Sequence, residues 1–264
     1  MMLVLEIGGM AIGVKHDSPE WDAVLRGACA GFVSDKKPAF VVNATVVKGF
    51  KTVHQNGVAV LSPKPGGVYS MEWHDLEGTF DPDGGTCTVT LADNVGSINS
   101  VLRNVVGVLF LRSHGLALHA ASFTRGGRAF IFPGVSTAGK STLSMITLAN
   151  RPECELLTDE LSLVRRIGGR WLAFGSPFWG SASINGKNGS SPVEKICFIE
   201  KSSVHRLKPL KKADAYARLV QNAAQAVYER RNMAAAMKTA AEIVEDVPAF
   251  VLKFRLDAGF WELL

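Results

Sequence analysis

The sequence predicts an α/β protein with a β-rich N-terminal region, and three observations carry that reading. Short apolar runs divided by Gly- and Pro-rich turns fill the first hundred or so residues. A helical spacing of apolar residues then begins at Ser97. Further on, an apolar strand enters a glycine-bearing loop that opens a helix. The change of period divides the chain into a β-rich region over residues 1–96 and an α/β domain over residues 97–264.

In the first region, residues 39–47, 57–61, 68–73 and 86–91 read as strands, with Lys-Pro-Gly-Gly and Asp-Pro-Asp-Gly-Gly as turns. One helix is expected near residues 21–32. His54 and His74 stand alone, without the spacing of a metal or catalytic site, and are read as surface or core residues. From Ser97 onward, Ile98, Val101, Leu102, Val105, Val108, Leu109 and Arg112 follow helical spacing. Residues 116–123 (LALHAASF) read as a strand, Arg125-Gly126-Gly127 as a reversing turn, and residues 128–132 as the strand that enters the loop. A helix is expected over residues 140–149, then a short strand over residues 155–158 closed by Asp159 and Glu160. Residues 175–192 are rich in Gly, Ser and Pro around Phe178-Trp179 and predict a long mobile loop. Strand character returns at residues 193–200; an Ala-rich helix is expected over residues 214–241, and a last strand over residues 249–256 precedes a short helix through Trp261.

Composition narrows the function classes. With 264 residues, 47% hydrophobic and 20% charged, the chain is an ordinary globular protein able to bury a sizeable core. Its net charge of +5 is scattered except at Arg206, Lys208, Lys211 and Lys212, read as a solvated face, so no nucleic-acid partner is expected. Cys29, Cys87, Cys154 and Cys197 form no CxxC pair, which argues against a zinc site or a disulfide framework and for reduced, partly buried thiols in a cytoplasmic protein. The N-terminus lacks a basic leading region, and the apolar run at residues 105–111 is too short to span a bilayer, so no membrane partner is expected.

The chemistry concentrates at residues 134–142, which read GVSTAGKST. A tight loop between a strand and a helix points successive N–H groups inward, where they and the helix dipole cradle a phosphate. Gly134 and Gly139 give the backbone freedom; Val135, Ser136, Thr137 and Ala138 complete the loop; Lys140 reaches the β and γ phosphates; Ser141 offers a hydroxyl to magnesium; and Thr142 extends the polar helix start. Asp159 and Glu160 end an apolar strand about twenty residues beyond Lys140, where a carboxylate can hold magnesium or take a proton from an attacking hydroxyl. His119 lies on the strand preceding the loop strand, and hairpin pairing can bring it to the phosphate site as readily as it can leave it a core residue.

The ordered set LHAASF, IFPGVSTAGKSTL and LLTDELSLV resembles the kinase domain of HPr kinase/phosphorylase and its wider relatives, which share a phosphoenolpyruvate-carboxykinase-like fold. The likeness is strong over residues 116–164 and extends more weakly through GSPFWG, PVEKICFIE and AGFWELL. It implies a P-loop kinase domain that uses ATP and Mg2+ and transfers the γ-phosphoryl to a hydroxyl of a peptide, a protein or a small molecule. It further implies that His119, Lys140, Ser141, Asp159 and Glu160 surround triphosphate, metal and acceptor, with Asp159 the general base and Glu160 a metal neighbour. Thr137 stands where the bifunctional enzymes have Gly, Glu160 replaces the second acid of their Asp-Asp pair, and no Gly-Leu-Gly signature follows. These departures keep a second class open, a nucleotide-binding regulatory protein without phosphotransfer. Proteins of this likeness are often oligomeric, which leaves a homo-oligomer open, and the aromatic pair Phe178-Trp179 is a candidate wall for the acceptor.

Overall fold

The turn signals of the first hundred residues separate elements whose alternate residues point to opposite faces, as over residues 86–92, where Cys87, Val89 and Leu91 are buried and their neighbours are not. The computed structural model describes residues 1–52, 60–135, 138–180, 184–223 and 230–264. Its described residues fall into two units, one of residues 1–109 with 230–232 and one of residues 110–223 with 233–264. Each contains a sheet, giving a mixed α/β protein.

In the first unit, β1 (Met2–Ile7), β2 (Met10–Lys15), β3 (Phe40–Val47), β4 (Val60–Pro63), β5 (Tyr69–Trp73), β6 (Leu76–Asp81) and β7 (Thr86–Ala92) form a sheet of order β1-β2-β3-β7-β6-β5-β4. Helix α1 (Pro19–Ala28) makes the crossover between the parallel strands β2 and β3. Its start is fixed by Ser18, whose hydroxyl accepts the Trp21 N–H, and by Pro19 at the first helical position. Trp21 and Leu25, four residues apart, are its buried face. The helix ends earlier than the apolar pattern suggests, because residues 29–32 form a turn and the Phe32 carbonyl accepts the Glu6 N–H at 2.7 Å. Strands β1, β2 and β6 were not predicted by the turn-bounded runs. His74 lies edge-on to Trp73 and 3.6 Å from Asp75, a surface residue, while His54 lies outside the described residues.

Helix α2 (Val95–Arg112) contains the division between the units. The second sheet comprises β8 (Gly115–Arg125), β9 (Arg128–Pro133), β10 (Cys154–Thr158), β11 (Leu161–Ile167), β12 (Arg170–Phe174), β13 (Ser190–Lys201), β14 (Arg206–Pro209) and β15 (Ala249–Phe254). The long strands β8 and β13 each have several partners along their length, so β8, β11, β12, β13 and β9 close into a ring of pairings. Helix α3 (Lys140–Asn150) follows β9. The core beneath it is aromatic: Phe123, Phe130, Phe132, Phe254, Phe260 and Trp261 are buried together with Leu143, Leu156 and Ile199.

The described residues of 175–189 form a loop that is anchored to the edge strand β10, because Ser176 N–H donates to the Leu157 carbonyl at 3.1 Å and Lys187 N–H to the Leu156 carbonyl at 2.9 Å; residues 190–192 already belong to β13. A Cβ on Gly186 would sit 1.9 Å from the Leu157 oxygen, which is why glycine is needed for that approach. Among the described residues the Ala-rich stretch is not one helix: α4 (Lys212–Gln221) ends where Asn222 turns its carbonyl to the His119 N–H at 2.8 Å, and α5 spans Arg230–Asp246. The basic residues Arg206 and Lys208 are exposed on the edge strand β14, and Lys212 pairs with Glu245.

All four cysteines are free and buried rather than partly buried. Burial pushes Cys29 and Cys154 up to about 11 and Cys87 and Cys197 up to about 12, leaving almost no thiolate at neutral pH. The folded protein is therefore expected to resist an aromatic disulfide reagent at pH 8 and to release four equivalents only in denaturant; prompt labelling of the native protein contradicts the buried placement.

Candidate functional site

Strand β9 delivers the chain to Gly134, which is buried; a Cβ there would lie 2.8 Å from Ala138 Cβ and 3.1 Å from Ile199 Cγ1. The loop returns through Ala138, whose N–H donates to the Val135 carbonyl at 3.1 Å, while Val135 itself is exposed. Ser136 and Thr137 lie outside the described residues. Gly139 starts α3 in a left-handed conformation, φ 108°, and offers no side chain to cap the first amides of the helix. Lys140 is only 6% exposed, and its Nζ donates to the Gly134 carbonyl at 2.9 Å, so the ammonium is folded beneath its own loop. Desolvation holds the Lys140 pKa below the usual lysine range, while Glu160 and then Asp159 push it back up. Ser141 and Thr142, in the first turn of α3, are half-buried.

The acid pair occupies an interruption in a strand. Strands β10 and β11 both run antiparallel to β8, with Thr158 opposite Ser122 and Leu161 opposite His119, and the register shifts just before the gap. Asp159 and Glu160 are the residues that the ladder skips, although the Glu160 carbonyl still accepts the Ala120 N–H at 3.2 Å. A break of this kind re-aims side chains that an unbroken strand would send to alternate faces. Asp159 is fully buried, and its Oδ1 accepts the Gly180 N–H at 3.2 Å. Gly180 has to be small: a Cβ would approach Glu160 Oε2 to 2.8 Å.

Thr158 fixes this break. Its buried hydroxyl accepts the N–H groups of Glu160 and Leu161, both at 3.2 Å, and donates to the Phe178 carbonyl at 3.2 Å. The Ser176 hydroxyl, also buried, lies 3.1 Å from Thr158 Oγ1 and 2.9 Å from the Leu161 carbonyl. The corner before Leu161 is thus tied to the segment that carries Phe178, Trp179 and Gly180. Phe178 is 1% exposed and belongs to the core rather than to a wall, whereas Trp179 is half-buried beside Gly180.

His119 is placed by two backbones: its N–H goes to Asn222, and it stands opposite Leu161 in the ladder. Its Nε2 lies 3.5 Å from Glu160 Oε2. Lys140, Asp159, Glu160 and His119, read separately from sequence, thus fall in one unit and influence one another, while Thr158, Ser176 and Gly180 were missed. Their signal in the sequence is faint, since a threonine before an acid pair has no distinguishing spacing. Magnesium takes one or two carboxylates and completes its octahedron with phosphate oxygens and water. Ser141, Asp159 and Glu160 carry oxygen donors of the type such an ion takes; among the described residues no group of three or more His, Cys, Asp or Glu side chains is placed to hold a metal.

Residues 90–264, about two thirds of the chain, match the family described as SynChlorMet cassette protein ScmC. No curated protein matches the chain. The match covers residues 134–142, the acid pair and the terminal aromatic segment. Among the described residues, no helix is long and apolar enough to cross a membrane.

The hydroxyl of Thr158 is the test of how the acid pair is held. Replacing Thr158 by Val leaves the Glu160 and Leu161 amides without this acceptor and should cost about 2 kcal/mol in urea unfolding, with Thr158→Ser recovering most of it. Stability of Thr158→Val equal to wild type contradicts this account.

Proposed function

This chain belongs to the ScmC family, and from that premise and the site geometry we propose that it is an ATP- and Mg2+-dependent kinase of the HPr-kinase-like class, acting in the cytoplasm on a hydroxyl acceptor. The observation that carries the reading is the buried Lys140 ammonium under the Gly134–Gly139 loop, with Asp159 and Glu160 close enough to act on its charge. A lysine is kept in so dry a place at a cost in stability, and a polyphosphate is the ligand whose binding offsets that cost.

In this reading the loop amides and Lys140 hold the β and γ phosphates and stabilise charge as the phosphoryl group moves. Ser141, Asp159 and Glu160 would hold a magnesium ion, which would neutralise charge on the phosphate oxygens. Asp159 accepts the proton of the acceptor hydroxyl as the oxygen bonds to the γ phosphorus, and the bridging oxygen leaves with ADP. The Gly180 N–H fixes one carboxylate oxygen of Asp159 for that task. His119 orients Glu160 across their 3.5 Å contact. Trp179, half-buried next to Gly180, is the residue of the aromatic pair left to border the acceptor.

Replacing Asp159 by Asn removes the base while keeping the shape. With γ-labelled ATP and a panel of peptide and small-molecule hydroxyl acceptors, the variant should transfer phosphoryl about 100- to 10,000-fold more slowly than wild type, with ATP affinity little changed. Undiminished transfer contradicts the assignment. Saturable ATP binding by wild type with no transfer to any acceptor favours the regulatory nucleotide-binding reading instead.

A further inference from the structure

Strands β9, β13 and β15 run parallel to one another in the second sheet, and β13 and β15 end level at Lys201 and Phe254. Strand β9 ends in the phosphate loop, and β13 ends in Lys201, a residue to which neither composition nor motif drew attention. Side chains two apart on a strand share a face. Lys201 therefore shares its face with Ile199, the residue whose Cγ1 comes within 3.1 Å of where a Cβ on Gly134 would stand. Its own Cε lies 3.5 Å from the corresponding position on Gly139, at the first turn of α3, and Phe254 Cζ lies 3.4 Å from the same point.

The neighbouring charges do not engage it. Glu200, on the opposite face of β13, is shared by Arg218 at 3.5 Å and Lys253 at 4.0 Å. Lys201 makes no ion pair among the described residues and is exposed. Asp159 and Glu160 act on the buried Lys140. The end of the Lys201 side chain therefore stands near the positive end of α3, where an anion is attracted by both the helix amides and the ammonium group.

We infer that Lys201 is a second cationic contact to the nucleotide's phosphate chain, one that favours a triphosphate over a monophosphate. The inference rests on the nucleotide-site reading above and extends it to donor selection: Lys140 holds the chain from inside the loop, and Lys201 closes on it from the strand end.

The test is titration of ATP and AMP, each with magnesium, into wild type, Lys201→Met and Lys201→Arg, at low and at high salt, with melting temperatures of the free proteins as a check on folding. Lys201→Met should melt with wild type, bind ATP about tenfold more weakly, bind AMP almost unchanged and lose part of the salt dependence. Lys201→Arg should recover most of the ATP affinity. Equal ATP binding by wild type and Lys201→Met, or equal loss for ATP and AMP, overturns the role of Lys201 and leaves the nucleotide site standing. Failure of folded wild type to bind either nucleotide overturns both.

Discussion

Lys140 carries a charged group into a place where little water reaches, and the second unit is arranged around making that tolerable. An ammonium ion loses several kcal/mol on leaving water unless hydrogen bonds and opposite charge replace its hydration. Here one hydrogen bond comes from the Gly134 carbonyl at 2.9 Å. The opposite charge comes from Glu160 and Asp159, which act against the desolvation of the lysine. The two compensations come from different parts of the chain, so the hairpin of β8 and β9 has to be in register with the interrupted run of β10 and β11 for both to be present.

The helix that carries Lys140 is held from below by the end of the chain. A short 3-10 helix, Ala258–Leu263, presents Phe260 and Trp261 to the aromatic core. Trp261 Nε1 donates to Thr147 Oγ1 on α3 at 2.9 Å, and Arg151, just past that helix, donates to the Ala258 carbonyl at 3.1 Å. Arg125 lies over the Trp261 ring and donates to its carbonyl at 2.8 Å, tying the same segment to the end of β8. The terminal residues thus fix the depth at which α3, and with it the lysine, sits on the sheet. Large aromatic residues bring much buried area with few rotamers to freeze, which suits them to this anchoring.

Much of the second unit was legible because its local signals agree with its packing. The Arg125-Gly126-Gly127 turn, the apolar strand into GVSTAGKST and the helix after it are each specified by a few adjacent residues. The acid pair could be placed at a strand end, but not at a break within a longer run along β8, because that continuity depends on pairing between residues as far apart as Ser122 and Thr158, or His119 and Leu161. The segment after Gly175 read as mobile because Gly and Ser report what a backbone can do, not which edge it meets. Asn222 sat inside an Ala-rich pattern, and only its bond to His119 shows why the helix ends there. Lys201 was illegible for a related reason: one exposed lysine at a strand end has meaning only through what lies across from it.

Calorimetric titration of ATP, with and without magnesium, into wild type and Lys140→Ala decides whether the buried lysine serves a polyphosphate. Magnesium-dependent binding to wild type that the substitution abolishes is the expected result. Absence of binding by well-folded wild type, or equal binding by both proteins, rules that role out.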